Sequence, residues 1–273
     1  EVKNLLSGHR LNYMDDWTKL DQMLDRVMSK QFRNSRKDSF GNGWVYNWFC
    51  VDHVEYKINP RRRTMGYHAI HDHYVSRVSE NDDCPDEVQW HFHPMSTYYE
   101  AHRCATSFVN SPHLYETLAR RIIERNYFPS VFRAGFQAER PDSHWFLEQW
   151  LPFDISNTAI DPKLQWTSSN DLRNGRSGDW RLARHDWTPY HPHHDNWQLE
   201  GNCRRWIGRG LNLKNRFANL EYFEIGKAFE QASSGTSALV GLVSHDFRDL
   251  QPEIEEVRDM IDKAAMKFPD IPY

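Results

Sequence analysis

The residues best placed by type and spacing to do chemistry are His91 and His93, in the segment EVQWHFH at 87–93. On a β-strand, side chains two residues apart point to the same side. If this segment is a strand, two imidazoles project into one site, and imidazole is the commonest protein ligand for a metal ion. The ordinary alternative is a pair of histidines on an exposed strand. Preceding Trp90 and following Pro94 favour a strand that stops sharply at the pair. Arg133 ends a second short apolar segment, VFR. There a guanidinium either anchors a salt bridge or holds a carboxylate within a site. His245 closes ALVGLVSHD at 238–246, the most apolar run in the chain. An imidazole at such a place either acts as a general acid or base or is a core histidine with one satisfied hydrogen bond. Asp52 and Asp154 stand at the ends of two further candidate strands.

These positions matter only if the segments around them are strands of one sheet. Residues 15–32 read as an amphipathic helix, with Asp15 or Asp16 as cap and Trp17, Leu20, Met23, Leu24 and Val27 at helical spacing. After the turn Gly41-Asn42-Gly43 comes WVYNWFCVD at 44–52, rich in aromatic and β-branched residues and read as a buried strand. Helices are expected at 67–79, at 113–126, from Pro141 to 150, at 221–232 and from Pro252 to about 267. Strands are expected at 87–93, 130–136, 151–156 and 238–246. The stretch 157–215 shows little periodicity and reads as long loops with short elements. Helices alternate with short apolar strands, as in a parallel sheet covered by helical crossovers. In such folds the reactive groups gather at the carboxyl ends of the strands. No internal repeat or linker divides residues 1–273, so a single domain is expected.

Composition sets outer bounds. The chain has 273 residues, a net charge of −4, 39% hydrophobic and 26% charged residues. That is an ordinary folded balance, and it does not suggest a nucleic-acid-binding surface. No apolar run reaches the roughly 18–20 residues of a membrane span. Cys50, Cys84, Cys104 and Cys203 form no C-x-x-C pair, which points to buried thiols in a reducing compartment and a cytoplasmic location. Fifteen histidines and eleven tryptophans are the unusual features. They concentrate in HDWTPYHPHHDNW at 185–197. There Trp187, Tyr190 and Trp197 could stack on a sugar, and His191, His193 and His194 could bind hydroxyls or a second metal. A proline-stiffened loop packed on its own aromatics is the competing reading.

Taken in order, WVYNWFCVD, DEVQWHFHP, VFRAGF and LVGLVSHD are similar to the strand motifs of the NodB-like polysaccharide deacetylases, over roughly residues 15–267. The resemblance implies an irregular (β/α)7 barrel-like fold and hydrolytic removal of N- or O-acetyl groups from a carbohydrate. It also implies a divalent metal, zinc foremost. Under it His91 is the first histidine ligand, Arg133 orients the catalytic aspartate, and His245 is the proton donor to the leaving group. The family's second histidine stands four residues after the first, where this chain has Met95, so His93 or His102 takes that place. The family's Asp-Trp feature corresponds to Asp179-Trp180 or to Asp186-Trp187. Its aspartate-bearing first strand is expected upstream of Glu1, or else Asp52 takes over part of that role. The competing function is a non-catalytic carbohydrate-binding or scaffold protein on the same fold. A different metal hydrolase, such as an amidohydrolase or phosphoesterase, ranks third.

Overall fold

The computed structural model describes residues 14, 16–53, 67–81, 84–93, 113–161, 178–214 and 219–273. It is an α/β fold built on a curled parallel sheet with strand order β1-β2-β3-β4-β7-β8. The strands are β1 Asn47–His53, β2 Glu87–His93, β3 Val131–Ala134, β4 Phe153–Asn157, β7 Trp206–Asn212 and β8 Gly241–Val243. A separate antiparallel pair is formed by β5 Pro192–His193 and β6 Asn196–Glu200. The helices are α1 Trp17–Val27, α2 Lys30–Asn34, α3 Tyr67–Ser79, α4 His113–Arg125, α5 Pro141–Trp150, α6 Tyr222–Ser233 and α7 Leu250–Ala265. Among the described residues no helix is long and apolar enough to cross a membrane.

The chain divides into two compact units. The larger comprises residues 45–210 and 237–241. Its strands β1 to β4 and the first part of β7 pair in parallel, with Val51 opposite His91, His91 opposite Arg133 and Asp154 opposite Ile207. Trp90, Phe92, Phe132 and Ala134 pack with Leu114 and Leu118 of α4 and with Phe146, Leu147 and Leu151 around α5. This is the sheet-to-helix core of the unit. α5 begins as its sequence dictates: Pro141 occupies the first turn and Ser143 Oγ accepts the Arg140 backbone N–H at 2.9 Å.

The smaller unit comprises residues 1–44, 211–236 and 242–273. The single helix expected at 15–32 is two. Ser29 accepts the Phe32 backbone N–H and donates to the Arg26 carbonyl, so it caps α2 and ends α1 at Val27. Asp16 caps α1 through the Lys19 N–H at 2.9 Å. Arg258 of α7 lies over the Phe32 ring at 4.4 Å and donates to the Phe32 carbonyl, tying α7 to α2.

Two strand expectations need correction. The run 238–246 is a strand only at Gly241–Val243, and no strand was expected at β7, inside the stretch read as loops. The sequence WIGRGLN of β7 breaks the apolar pattern with two glycines and an arginine. Both glycines lie close against Ile155. A Cβ on Gly208 would stand 2.7 Å from Ile155 Cδ1, and one on Gly210 2.7 Å from Ile155 Cγ2 and 2.9 Å from Arg133 Nη1.

Candidate functional site

Strand alternation sorts the candidate residues onto two faces of the sheet. Trp90, Phe92 and Phe132 take the helix-packed face, and His91, His93 and Arg133 take the other. His91 and His93 therefore share a side at the carboxyl end of β2, as their spacing predicts. The His91 Nδ1 lies 2.8 Å from the Arg133 carbonyl oxygen. A carbonyl only accepts, so Nδ1 carries the hydrogen and the lone pair sits on Nε2. That Nε2 is 3.0 Å from His93 Nε2, with the rings edge to face at 4.8 Å. Two imidazoles on one tetrahedral zinc, each bonded at 2.0–2.1 Å, hold their nitrogens about 3.3 Å apart. The pair alone would supply two ligands, one fewer than the three that a catalytic zinc takes from its protein. A backbone carbonyl fixing the tautomer of a ligating histidine is the usual outer support of such sites. The same spacing also suits a hydrogen bond from His93 to His91. Among the described residues no group of three or more His, Cys, Asp or Glu side chains surrounds a common point. His102, the other candidate ligand, lies outside the described residues, as does Cys104. Of His53 the register gives one fact: its backbone pairs with His93.

The turn after Arg133 shapes the His93 side of the pair. Gly135 has no room for a side chain, because a Cβ would lie 2.5 Å from the His93 ring. The Phe136 ring meets the His93 ring edge-on at 4.9 Å. Phe136 and Gln137 both adopt φ of +52°. Left-handed backbone at a non-glycine residue costs about 1–3 kcal/mol and persists where surrounding contacts enforce it. Those contacts come from residues 178–180 of the same unit. The Gly178 N–H donates to the Phe136 carbonyl at 2.9 Å, and the Trp180 Nε1–H to the Gln137 carbonyl at 2.8 Å. Of the two Asp-Trp pairs, then, Asp179-Trp180 is the one that adjoins the arginine strand.

Arg133 is buried, and Nη1 donates to the Ile155 carbonyl at 2.5 Å. Burial pushes its guanidinium down to about 10, against the attraction of Asp154. Asp52 is not brought to this site. It pairs with Phe92 in register and so faces the helices, where it accepts from Trp90 Nε1 at 2.9 Å and Arg121 Nη2 at 2.7 Å. Burial raises its carboxyl to about 6, with Arg121 acting in the opposite direction. Its assignment to a shared site with the histidines is therefore corrected: the strand's two-residue period turns it away.

The aromatic segment is also corrected. Trp187 is 1% exposed and lies under the Arg209 guanidinium at 4.4 Å. Tyr190 is 4% exposed and its hydroxyl donates to the Trp197 carbonyl at 2.8 Å. Tyr190, Trp180, Ala183, Ala159 and Ile207 form a core cluster, with Trp197 packed against it. Buried rings offer no face to a sugar, so Trp187 and Tyr190 serve packing, while Trp197 is only partly buried. Truncating Trp187 to alanine should cost about 3–5 kcal/mol of stability, the range for a buried aromatic; chemical denaturation measures it. His191 stacks on Trp206 at 3.7 Å and contacts the Arg205 carbonyl at 3.1 Å. His193 and His194 are exposed on the β5–β6 turn.

Sequence reasoning missed a buried ionic cluster. Arg205 donates to Asp154 at 3.2 Å, to Glu139 at 3.1 Å and to His144 Nδ1 at 2.9 Å, and all four side chains are fully buried. Burial first, with the Asp154 charge adding to it, pushes the Glu139 carboxyl well above the usual carboxylate range. His144 accepts from Arg205 at Nδ1 and thus donates from Nε2 to the His193 and His194 carbonyls at 3.0 and 3.1 Å. Burial and Arg205 lower its pKa to about 4. The cluster pins the β5–β6 hairpin to α5. Its members stand at no sequence spacing that signals a common cluster. His245 belongs to the smaller unit, half-buried beside Phe247, ring centroids 5.2 Å apart. No family model, no curated protein and no solved structure matches this chain.

Proposed function

We propose that the chain is a divalent-metal-dependent hydrolase of the polysaccharide deacetylase type, removing an N- or O-acetyl group from a carbohydrate. The observation that carries this reading is the His91–His93 pair. Its two Nε2 atoms converge at 3.0 Å at a strand's carboxyl end, and a backbone carbonyl fixes the His91 tautomer. His91 and His93 would hold the cation, zinc by preference for imidazole nitrogen. Once bound, such an ion lowers the pKa of a ligated water and polarises an acyl carbonyl. Arg133 stands opposite His91 in register on the same face of the sheet. By the resemblance alone, His245 would be the proton donor to the departing amine or alkoxide. A cytoplasmic location belongs to the same reading, since Cys50, Cys84 and Cys203 form no disulfide among the described residues.

The test is zinc binding followed by acetate release from acetylated sugars by the full-length protein. His245→Asn should keep its metal and lose turnover by roughly 10²–10⁴-fold, the range for a general acid–base group. Unchanged turnover, or loss of the metal, removes that role from His245. A second reading, a carbohydrate-binding or scaffold protein without catalysis, is favoured by one observation: Asp52, the carboxylate nearest in sequence to the expected role, is engaged by Arg121 on the opposite face. Sugar binding with no acetate release in the presence of zinc would establish it.

A further inference from the structure

We infer that Glu139 carries a proton at neutral pH, which leaves the one cation of the buried cluster, Arg205, matched to Asp154 alone. The same arginine then orients His144, whose Nε2–H holds the His193 and His194 carbonyls of the β5–β6 hairpin. The donors around the two carboxyls tell which of them is charged, because an ionised carboxylate in a dry place needs several. Asp154 has three. The Ser156 N–H at 2.8 Å and the Ser156 hydroxyl reach Oδ1, and Arg205 Nη1 reaches Oδ2 at 3.2 Å. The Ser156 oxygen itself accepts the Ala134 N–H at 2.8 Å, which leaves its hydrogen for Asp154. Glu139 has one donor: Arg205 Nη2 reaches Oε2 at 3.1 Å, and Oε1 has no partner among the described residues. The proton does not sit on His144 instead. Its Nδ1 accepts from Arg205 at 2.9 Å, and a protonated Nδ1 would set hydrogen against hydrogen. The other ionisable groups around the cluster are Glu148, which accepts the Arg205 backbone N–H at 3.2 Å, and Tyr190, whose hydroxyl donates to the Trp197 carbonyl. Neither brings a positive charge. With both carboxyls ionised, a place without water would hold one uncompensated negative charge, and a group so placed neutralises instead. Burial, opposed by Arg205 and reinforced by the charge and hydrogen bond of Asp154, holds the Glu139 carboxyl well above the ordinary carboxylate range.

The two carboxyls on this arginine should respond unequally to loss of their acidity. Glu139→Gln reproduces the shape and neutrality of the protonated acid and keeps an acceptor for Arg205. Its Tm at neutral pH should stay within about 3 °C of the parent's. Asp154→Asn removes the charge that Arg205 is paired with and should lower Tm by roughly 10 °C. At neutral pH the infrared difference between the parent and Glu139→Gln should contain the carbonyl stretch of a protonated carboxylic acid. The pH dependence has a fixed sign. Glu139 holds its proton more tightly in the folded chain, so its contribution is complete below the ordinary carboxyl pKa and is lost as pH rises. The Tm of the parent relative to Glu139→Gln should therefore fall between about pH 4 and neutrality. A Glu139→Gln variant destabilised by roughly 10 °C, or a difference spectrum without the acid band, overturns the inference. Both of these readings stand without Asp154→Asn, should that variant not fold.

Discussion

If His91 and His93 hold a zinc ion as proposed, replacing His91 with alanine should weaken zinc binding about a hundredfold. A four-ligand protein site holds zinc with an apparent ~12 kcal/mol, so one ligand accounts for ~3 kcal/mol, or about two orders of magnitude in Kd. His93→Ala should match it, because each ring would supply one Nε2 ligand under that proposal. Asp52→Asn should leave zinc affinity unchanged, since its carboxylate lies on the other face with Arg121 and Trp90. Competition against a chromophoric chelator measures all three. Parental affinity in His91→Ala, within a factor of three, would reduce the pair to a hydrogen bond between core-edge histidines.

A large effect on stability is expected from Arg205→Met. The substitution keeps an unbranched chain of similar bulk but strips Glu139 and Asp154 of their one shared cation, in a place with no access to water. Breaking a buried ion pair from one side costs about 3–5 kcal/mol. That corresponds to a fall of roughly 10 °C in Tm for a unit of this size. The pH dependence follows from the carboxyls. Burial already raises Glu139 in the parent, and loss of Arg205 raises it further. A carboxyl whose folded pKa lies above its unfolded value favours the fold below the unfolded pKa and loses that contribution as pH rises. The penalty of Arg205→Met should therefore shrink in acid and be largest at neutral pH and above. A penalty of under 1 kcal/mol at neutral pH, or one independent of pH, would show that the cluster does not depend on this cation.

How much of this was legible in the sequence varies with what each residue answers to. β2 at 87–93 and α5 from Pro141 are where their sequences place them, because an apolar alternation and a helix-starting proline act locally. The facing of His91 and His93 follows from their spacing alone. The facing of Asp52 does not. The run WVYNWFCVD is apolar at both parities, as a strand covered on both sides must be, so nothing local says which way its last carboxylate turns. Only the register with β2 decides it. β7 was unreadable because its glycines answer to Ile155 and Arg133, far away in the chain. Trp187 and Tyr190 look alike whether they face solvent or core, and burial by Arg209 and Ile207 decides between the two.

The bare surface of β7 has an evolutionary corollary. Arg133 keeps its guanidinium on the Ile155 carbonyl only because position 210 has no side chain to compete for the space. Positions 133, 155 and 210 therefore form one heritable unit although they come from three separate strands. In diverging descendants an alanine at 210 should be accepted more readily together with a smaller residue at 133 or 155. Substitutions at the three sites should accordingly be gained and lost in concert, while neighbours such as Arg204, which is exposed, drift independently.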